Sequence, residues 1–426
     1  MISLRERLSS AGMQPPYSLL NDLVHNPEVM PSNSLRELLD FNGAGMDQTL
    51  RSLGWSDADI RELHNMPPRL TCRHLNYLFW HKGQTHCHSD YCDGDMSADD
   101  VEQRYKNKGY TFVCLTDHDH ITSDPNVPNI LHITSAESGY ACRHHMCVLG
   151  IDGPQAREAI EMFSGTDTCP CNHSQIRIDV FGGTLQGITV LAHPTSSHYQ
   201  HPKHWTCGHG WGYQDDLRNN TRYTGLEFFC GGLWSDEWWD LIVANYYSSC
   251  WGFAADDFEK VKRDDQMVFR EDDPNKRNRS FNRGWIVVNS TKSSDKFIDE
   301  REDELRTDIL QNIREGNFVS VARSPDMKEG EVPPGDGISS TGPRFRIGVL
   351  GDLIVVQTDQ ESTVRFMGVL LQPAPEAFFS RPDDPEKTTR AVYRLQGDEC
   401  FVRVVVERNE LDGEIYRSYS QPLGVI

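Results

Sequence analysis

What most restricts this chain is where its histidines and carboxylates fall, which is at the ends of short apolar runs. Tyr110–Thr116 leads into Asp117-His118-Asp119-His120, Ile130–Ala136 into Glu137, Ile188–Ala192 into His193-Pro194, and Trp251–Ala255 into Asp256-Asp257. His145 opens the run Met146–Gly150, and Leu78-Phe79-Trp80 precedes the decapeptide Thr85-His86-Cys87-His88-Ser89-Asp90-Tyr91-Cys92-Asp93-Gly94. If Leu78–Thr85 is extended, His86 and His88 point the same way, because side chains alternate with period two along a strand. No Lys or Arg stands among these ends, and carboxylates packed together without cations repel strongly at low dielectric. Divalent metal ions are the natural counter-charge.

Between the runs lie segments of helical character. Ser97-Ala98-Asp99-Asp100 opens a helix that stops before Gly109, a residue suited to the left-handed position after a helix. Asp236–Tyr247 has helical spacing, and Glu300–Arg314 forms a helix before Gly316. Leu226–Phe229, Trp285–Val288 and Phe318–Ala322 read as further strands. Strand–helix alternation of this kind predicts an α/β fold with a mostly parallel sheet, closed as a barrel. In that architecture the active site gathers at the C-terminal strand ends, where the polar groups fall.

The flanks differ. Residues 1–72 read as a small helical region, with capping serines opening Ser34–Leu39 and Ser56–Leu63. The barrel is expected over 73–323, and a Pro-, Gly- and Asp-rich linker over 324–342. In 343–426, Phe345–Leu350, Leu353–Gln357, Thr363–Leu371, Ala391–Leu395 and Phe401–Glu407 alternate without intervening helices, predicting an antiparallel, sandwich-like β-domain. That tail holds no histidine; the last one is His209.

Composition excludes several classes. No segment approaches the roughly 18 uninterrupted apolar residues of a membrane span. The N-terminus lacks a signal-peptide profile, so a cytoplasmic protein is expected. Net charge is −21, from 63 acidic against 42 basic residues, which disfavours a long nucleic acid but not a small anion held by metal. The 12 cysteines include no C-x-x-C pair. The cluster Cys169-Pro170-Cys171-Asn172-His173 lacks standard zinc spacing. The His- and Trp-rich segment His198–Gly212 reads as a lid or pocket wall.

Taken together, Thr85–Gly94, Leu115-Thr116-Asp117-His118-Asp119, Glu137, His145, His193-Pro194 and Asp256-Asp257 resemble the PHP (polymerase and histidinol phosphatase) superfamily of metal-dependent phosphoesterases. The resemblance spans roughly residues 80–323. Ser340-Thr341-Gly342-Pro343 and Phe401-Val402-Arg403-Val404 resemble the β-domain of a branch with carbaryl-hydrolase-like members. What the resemblance implies is a distorted (βα)7 barrel with two or three divalent ions (Mn, Fe or Zn). His86, His88, Glu137 and Asp257 would hold one ion, Glu137 with His145 and His193 a second, and Asp93 with His118 a third. The family's closing Asp-x-His matches Asp257-Phe258-Glu259, so Glu259 stands in place of a histidine. An alternative register puts Asp256 at the ligand position.

The implied reaction is phosphoester hydrolysis of a small phosphorylated metabolite. Two ions about 3.5–4 Å apart would acidify a bridging water whose hydroxide attacks phosphorus. His118, if not a ligand, would protonate the leaving group, and Asp117 is the other catalytic candidate. The same centre would suit a carboxylic ester, carbamate or amide, and a non-catalytic metal-binding module is the third reading. The expected partner is a small-molecule phosphate ester, with no membrane; a homo-oligomer is allowed.

Overall fold

The computed structural model describes residues 45–66, 70–71, 79–122, 125–139, 145–164, 173–194, 223–231, 233–234, 239–240, 243, 250–258, 281–294, 299–323, 339–370, 377–381, 387–397 and 399–425. In chain order these begin with helices α1 (Met46–Ser52) and α2 (Asp57–Asn65), then strands β1 (Leu70–Thr71) and β2 (Phe79–Cys87). Helix α3 (Ala98–Asn107) leads to β3 (Phe112–Leu115), β4 (Leu131–His132), β5 (Ser135–Ser138) and β6 (Met146–Leu149). Helices α4 (Pro154–Phe163) and α5 (His173–Ile178) precede β7 (Ile188–Leu191), β8 (Gly225–Cys230), β9 (Leu233–Trp234), β10 (Trp251–Ala255) and β11 (Gly284–Ser290). Helix α6 (Asp299–Glu315) and β12 (Phe318–Arg323) follow. The tail adds β13 (Phe345–Leu350), β14 (Leu353–Leu370), β15 (Ala377–Arg381), β16 (Lys387–Arg394), β17 (Glu399–Asn409), β18 (Ile415–Ser420) and β19 (Leu423–Val425).

Local signals explain the expected helices. Ser56 accepts the Asp59 N–H at 3.2 Å while the Asp59 carboxylate accepts the Ser56 N–H at 3.1 Å, a reciprocal cap that starts α2. Ser97 caps α3 through the Asp100 N–H, and Gly109 follows it at φ +74°. The proposed Ser34–Leu39 helix lies outside the described residues, as does most of Asp236–Tyr247.

The fold is α/β, but the barrel expectation is corrected: the strands form two sheets that do not close into one. One sheet runs β1-β19-β17-β18-β12-β11-β2-β3-β4, with β13 to β16 joined through β14; the other runs β10-β8-β7-β6-β5, with β9 on β8. The break falls inside Ile130–Ala136, read above as one strand. Its first half pairs with β3 and its second with β6. Nor is the pairing mostly parallel. β2–β3, β3–β4, β7–β8 and β8–β10 are parallel, whereas β5–β6, β6–β7, β2–β11 and β11–β12 are antiparallel. The link from β5 to β6 is too short for a parallel crossover, so those strands return as a hairpin.

Alternation nevertheless directs residues of both sheets into one interior. Phe112 and Cys114 of β3, Cys147 and Leu149 of β6, Phe253 of β10 and Ile286 and Val288 of β11 form one cluster. Leu305, Ile309 and Ile313, one stripe of α6, pack in it too. The end of β11 pairs with the start of β2, and Asn289 N–H donates to Asn317 just past α6. The C-terminal end of α6 is therefore at the opposite end of the interior from the C-terminus of β2. At that C-terminal end the sheets are seamed by two isolated parallel bridges, Cys87 with Phe258 and His118 with Glu137. Four of the sequence-predicted strand ends thus meet at two seams.

The tail's strands are joined to the first sheet. β18 pairs antiparallel with β12, which continues the first sheet into the tail. Val287, Val319 and Val321 share a core with Phe345, Ile347, Val402 and Val404. Leu50, Ile60 and Leu63 of the two N-terminal helices pack on Leu350, Leu353 and Val355, so that appendage sits on the tail. Among the described residues no helix is long and apolar enough to cross a membrane.

Candidate metal centre

His86 is the penultimate residue of β2 and His88 lies just past it, so alternation brings both imidazoles to one side with Nε2 atoms 3.2 Å apart. Glu137 of β5 places Oε2 3.2 Å from His86 Nε2 and 3.3 Å from His88 Nε2. Asp257, beyond β10, places Oδ1 3.3 and 3.1 Å from the same two nitrogens. The four residues are at most 1% exposed. Such separations are those of neighbouring ligands around an ion bonded at roughly 2.0–2.2 Å. Two imidazole nitrogens facing one another can share only one proton, so this donor set fits a cation.

Glu137 also faces a second group. Its Oε1 lies 2.9 Å from His145 Nδ1 and 3.2 Å from His193 Nε2, which is 3.7 Å from Asp257 Oδ2. Its Oε2 is 3.0 Å from His118 Nδ1, while His118 Nε2 and His88 Nδ1 each stand 3.8 Å from an Asp93 oxygen. One carboxylate therefore touches five imidazoles. The opening lies on the third side: Asp93, His145 and His118 side chains are 35%, 13% and 10% exposed.

The electrostatics agree. Burial disfavours the Glu137 carboxylate, but His86, His145 and His118 outweigh it and hold its pKa well below the ordinary range. Burial lowers His86 and His88, but the surrounding anionic groups prevail and push both well above the ordinary imidazole value. His118 is pushed down by burial to about 3, so its ring is neutral at neutral pH and offers a lone pair.

The backbone bends sharply to present these groups. His193 has φ +29°, Asp257 +51° and Asp119 +47°, a region that non-glycine residues enter at a cost of order 1–3 kcal/mol. The Asp257 N–H donates to the His86 carbonyl at 3.0 Å and the His193 N–H to Glu227 Oε2 at 2.8 Å, which fixes two of the turns.

Around the donors stands a ring of supporting groups. Glu227 Oε1 accepts from His86 Nδ1 at 2.8 Å, leaving Nε2 to face the centre. Glu227 was missed in the sequence, where it sits inside an apolar run, yet a lone carboxylate in the buried strand Gly225-Leu226-Glu227-Phe228-Phe229-Cys230 is itself a signal. Cys92 Sγ lies 3.3 Å from His88 Nδ1 and 3.1 Å from Asp117 Oδ1. Asp117 stands beside His88 and Cys92, close enough to share an ion with them, and its carboxylate also accepts Ser89 N–H and the Ser89 hydroxyl at 2.7 Å each and the Thr122 hydroxyl. Asp256 turns away, accepting the N–H groups of Asn282, Arg283 and Gly284 at 2.7 Å each. Of the two adjacent aspartates, Asp257 is the one at the centre.

Glu259, the segment 198–212 and Cys169–Asn172 lie outside the described residues. Replacing Glu227 with glutamine is expected to weaken metal binding about 10–100-fold without changing a ligand. Chelator-competition titration of the folded variant checks it.

Fold and centre together define an α/β protein whose strand ends converge on a buried histidine–carboxylate cluster of metal-binding chemistry. No family model matches the chain, and no curated protein matches it. Among solved structures it is similar to a two-domain protein from Bacteroides vulgatus containing a predicted PHP-like metal-dependent phosphoesterase. That likeness has 12% identity, a TM-score of 0.38, and covers 78% of this chain and 91% of that one. A Chromobacterium violaceum amidohydrolase with bound sulfate and no metal is similar at 15% identity and TM-score 0.28, over 42% and 88% of the chains. A protein from Bifidobacterium adolescentis named as a metal-dependent phosphoesterase is similar at 12% and 0.27, over 41% and 87%. At such distances the site is read from its own geometry.

Proposed function

We propose that this chain is a metal-dependent hydrolase of small phosphate esters. The observation that carries the reading is the convergence of His86, His88, Glu137 and Asp257 donors at 3.1–3.3 Å in a fully buried cluster. These four would hold one divalent ion, and Glu137 Oε1 with His145 and His193 a second; Asp93 and His118 suit a third. The two sheets, seamed at the site, would form its two walls. When bound, such ions supply Lewis acidity that polarises an ester and acidifies water, so no covalent enzyme intermediate is needed.

The chain's own groups fix this arrangement. Glu227 orients His86 and holds the His193 turn, and Glu137 spans the donor sets. His118, with Nδ1 3.0 Å from Glu137 and Nε2 3.8 Å from Asp93, is assigned as a ligand rather than a general acid. Asp117 is assigned to holding the Ser89 turn. A substrate reaches the cluster from the side of Asp93. The net charge of −21 favours a small anion over a polyanion.

The test is a panel of p-nitrophenyl phosphate, bis-p-nitrophenyl phosphate and p-nitrophenyl acetate with Mn²⁺-, Zn²⁺- or Fe²⁺-loaded protein. A phosphate ester is expected to turn over fastest. Preference for the acetate would replace this reading with ester, carbamate or amide hydrolysis, and turnover of none with metal bound would replace it with a metal-binding module.

A further inference from the structure

We infer that Tyr91 and His120 form an aromatic subsite beside the opening of the centre, which selects substrates carrying a planar ring. The inference rests on the hydrolase reading above and adds a substrate class to it. Tyr91 is 58% exposed, and among the described residues it is the single aromatic in the group of exposed large apolar side chains. Its ring stacks on His120 with centroids 4.9 Å apart and planes 20° from parallel. One ring stands two residues before Asp93 and the other two residues after His118, the pair that marks the open side of the cluster. A ring bound on the exposed face of Tyr91 would continue the stack as a third layer.

The mounting of both rings is rigid, which a passing surface contact would not require. Asp117 ties the two turns together. Its carboxylate holds Ser89 N–H and Oγ in the Tyr91 turn, and its carbonyl accepts His120 N–H at 3.3 Å and Glu137 N–H at 3.2 Å. Within the first turn, Ser89 O accepts Cys92 N–H at 3.3 Å and Gly94 N–H at 3.1 Å, and Asp90 N–H donates to Met96 O at 2.8 Å. A methyl at Gly94 would lie 2.4 Å from Ser89 O, so the turn closes only around glycine. In the second turn Asp119 Oδ1 accepts Gly139 N–H at 2.8 Å. A pre-positioned aromatic loses little freedom when a ring docks on it.

The experiment measures binding, so that it does not depend on turnover. Isothermal titration of the full-length, manganese-loaded chain with 3-phenylpropylphosphonate and with propylphosphonate gives an affinity ratio that isolates the ring. The wild type is expected to favour the phenyl compound about tenfold, Tyr91→Phe to keep that ratio, and Tyr91→Ala to reduce it to about one. Equal affinities in the wild type, no binding of either compound, or an unchanged ratio in Tyr91→Ala overturns the subsite. Ring-selective binding without hydrolysis of any phosphate ester would retain the subsite and overturn the hydrolase reading alone.

Discussion

Glu137→Gln is expected to strip the centre of its metal and lower the proposed phosphoesterase turnover by at least about 10³-fold, while the chain still folds. Glutamine has the same shape, but its amide nitrogen is a donor where a lone pair is required and its charge is gone. Glu137 meets His86, His88, His118, His145 and His193, and among the described residues no second carboxylate is shown to do the same. Asp257 stands within 3.7 Å of three of those rings, His86, His88 and His193. Elemental analysis should show less than one ion per chain, and circular dichroism an unchanged fold. A variant that keeps two ions and a tenth of its activity would refute the hub role. A loss at His88→Ala, which removes one donor of the first set only, should be smaller in metal content.

The centre was largely legible in the sequence because ligands of this kind must project from strand ends. A charged group where an apolar run ends is costly to bury and therefore conspicuous, as Asp117-His118, Glu137, His193 and Asp257 were. Glu227 shows where that reasoning was not pressed. Its carboxylate lies mid-strand, flanked by Leu226 and Phe228, and the apolar pattern masked it. Asp257 was preferred to Asp256 on the motif resemblance alone, since the choice depends on a left-handed turn at Asp257 that no local composition dictates. The fold was read less fully. Apolar runs reveal strands but not their direction, so the pattern gives no sign that β6 pairs antiparallel with both of its neighbours. Ile130–Ala136 looked continuous, and only pairing partners divide it. The helix Pro154–Phe163 was overlooked although Ala156, Ala159, Ile160 and Phe163 carry its buried face and Pro154 follows Gly153 at its start. The continuation of the sheet through β18 is set by residues about a hundred positions from β12, beyond the reach of local pattern.

The largest expected effect on stability lies one residue from the centre. Asp256 is fully buried, and burial holds its pKa above the usual carboxylate value despite the N–H groups that favour its charged form. Oδ1 takes the N–H groups of Arg283 and Gly284, and Oδ2 takes the N–H of Asn282 and the Tyr105 hydroxyl at 3.1 Å. Asp256→Ala leaves three backbone donors without that acceptor, and a buried unsatisfied donor costs about 1–3 kcal/mol, so a loss of at least about 3 kcal/mol is expected. Asp256→Asn should cost less, about 1–2 kcal/mol. Its amide oxygen can still accept the Arg283 and Gly284 donors, and the Tyr105 hydroxyl can turn to accept the new N–H. Only the Asn282 N–H then faces another donor. Asn282 itself sits at φ +59°, so its turn depends on that bond more than an ordinary turn would. Denaturant midpoints of the metal-free proteins should rank wild type, Asn and Ala in that order. An Ala variant as stable as the wild type would show that the β10 end and the start of β11 are held by other contacts, and that the seam beside Asp257 does not depend on Asp256.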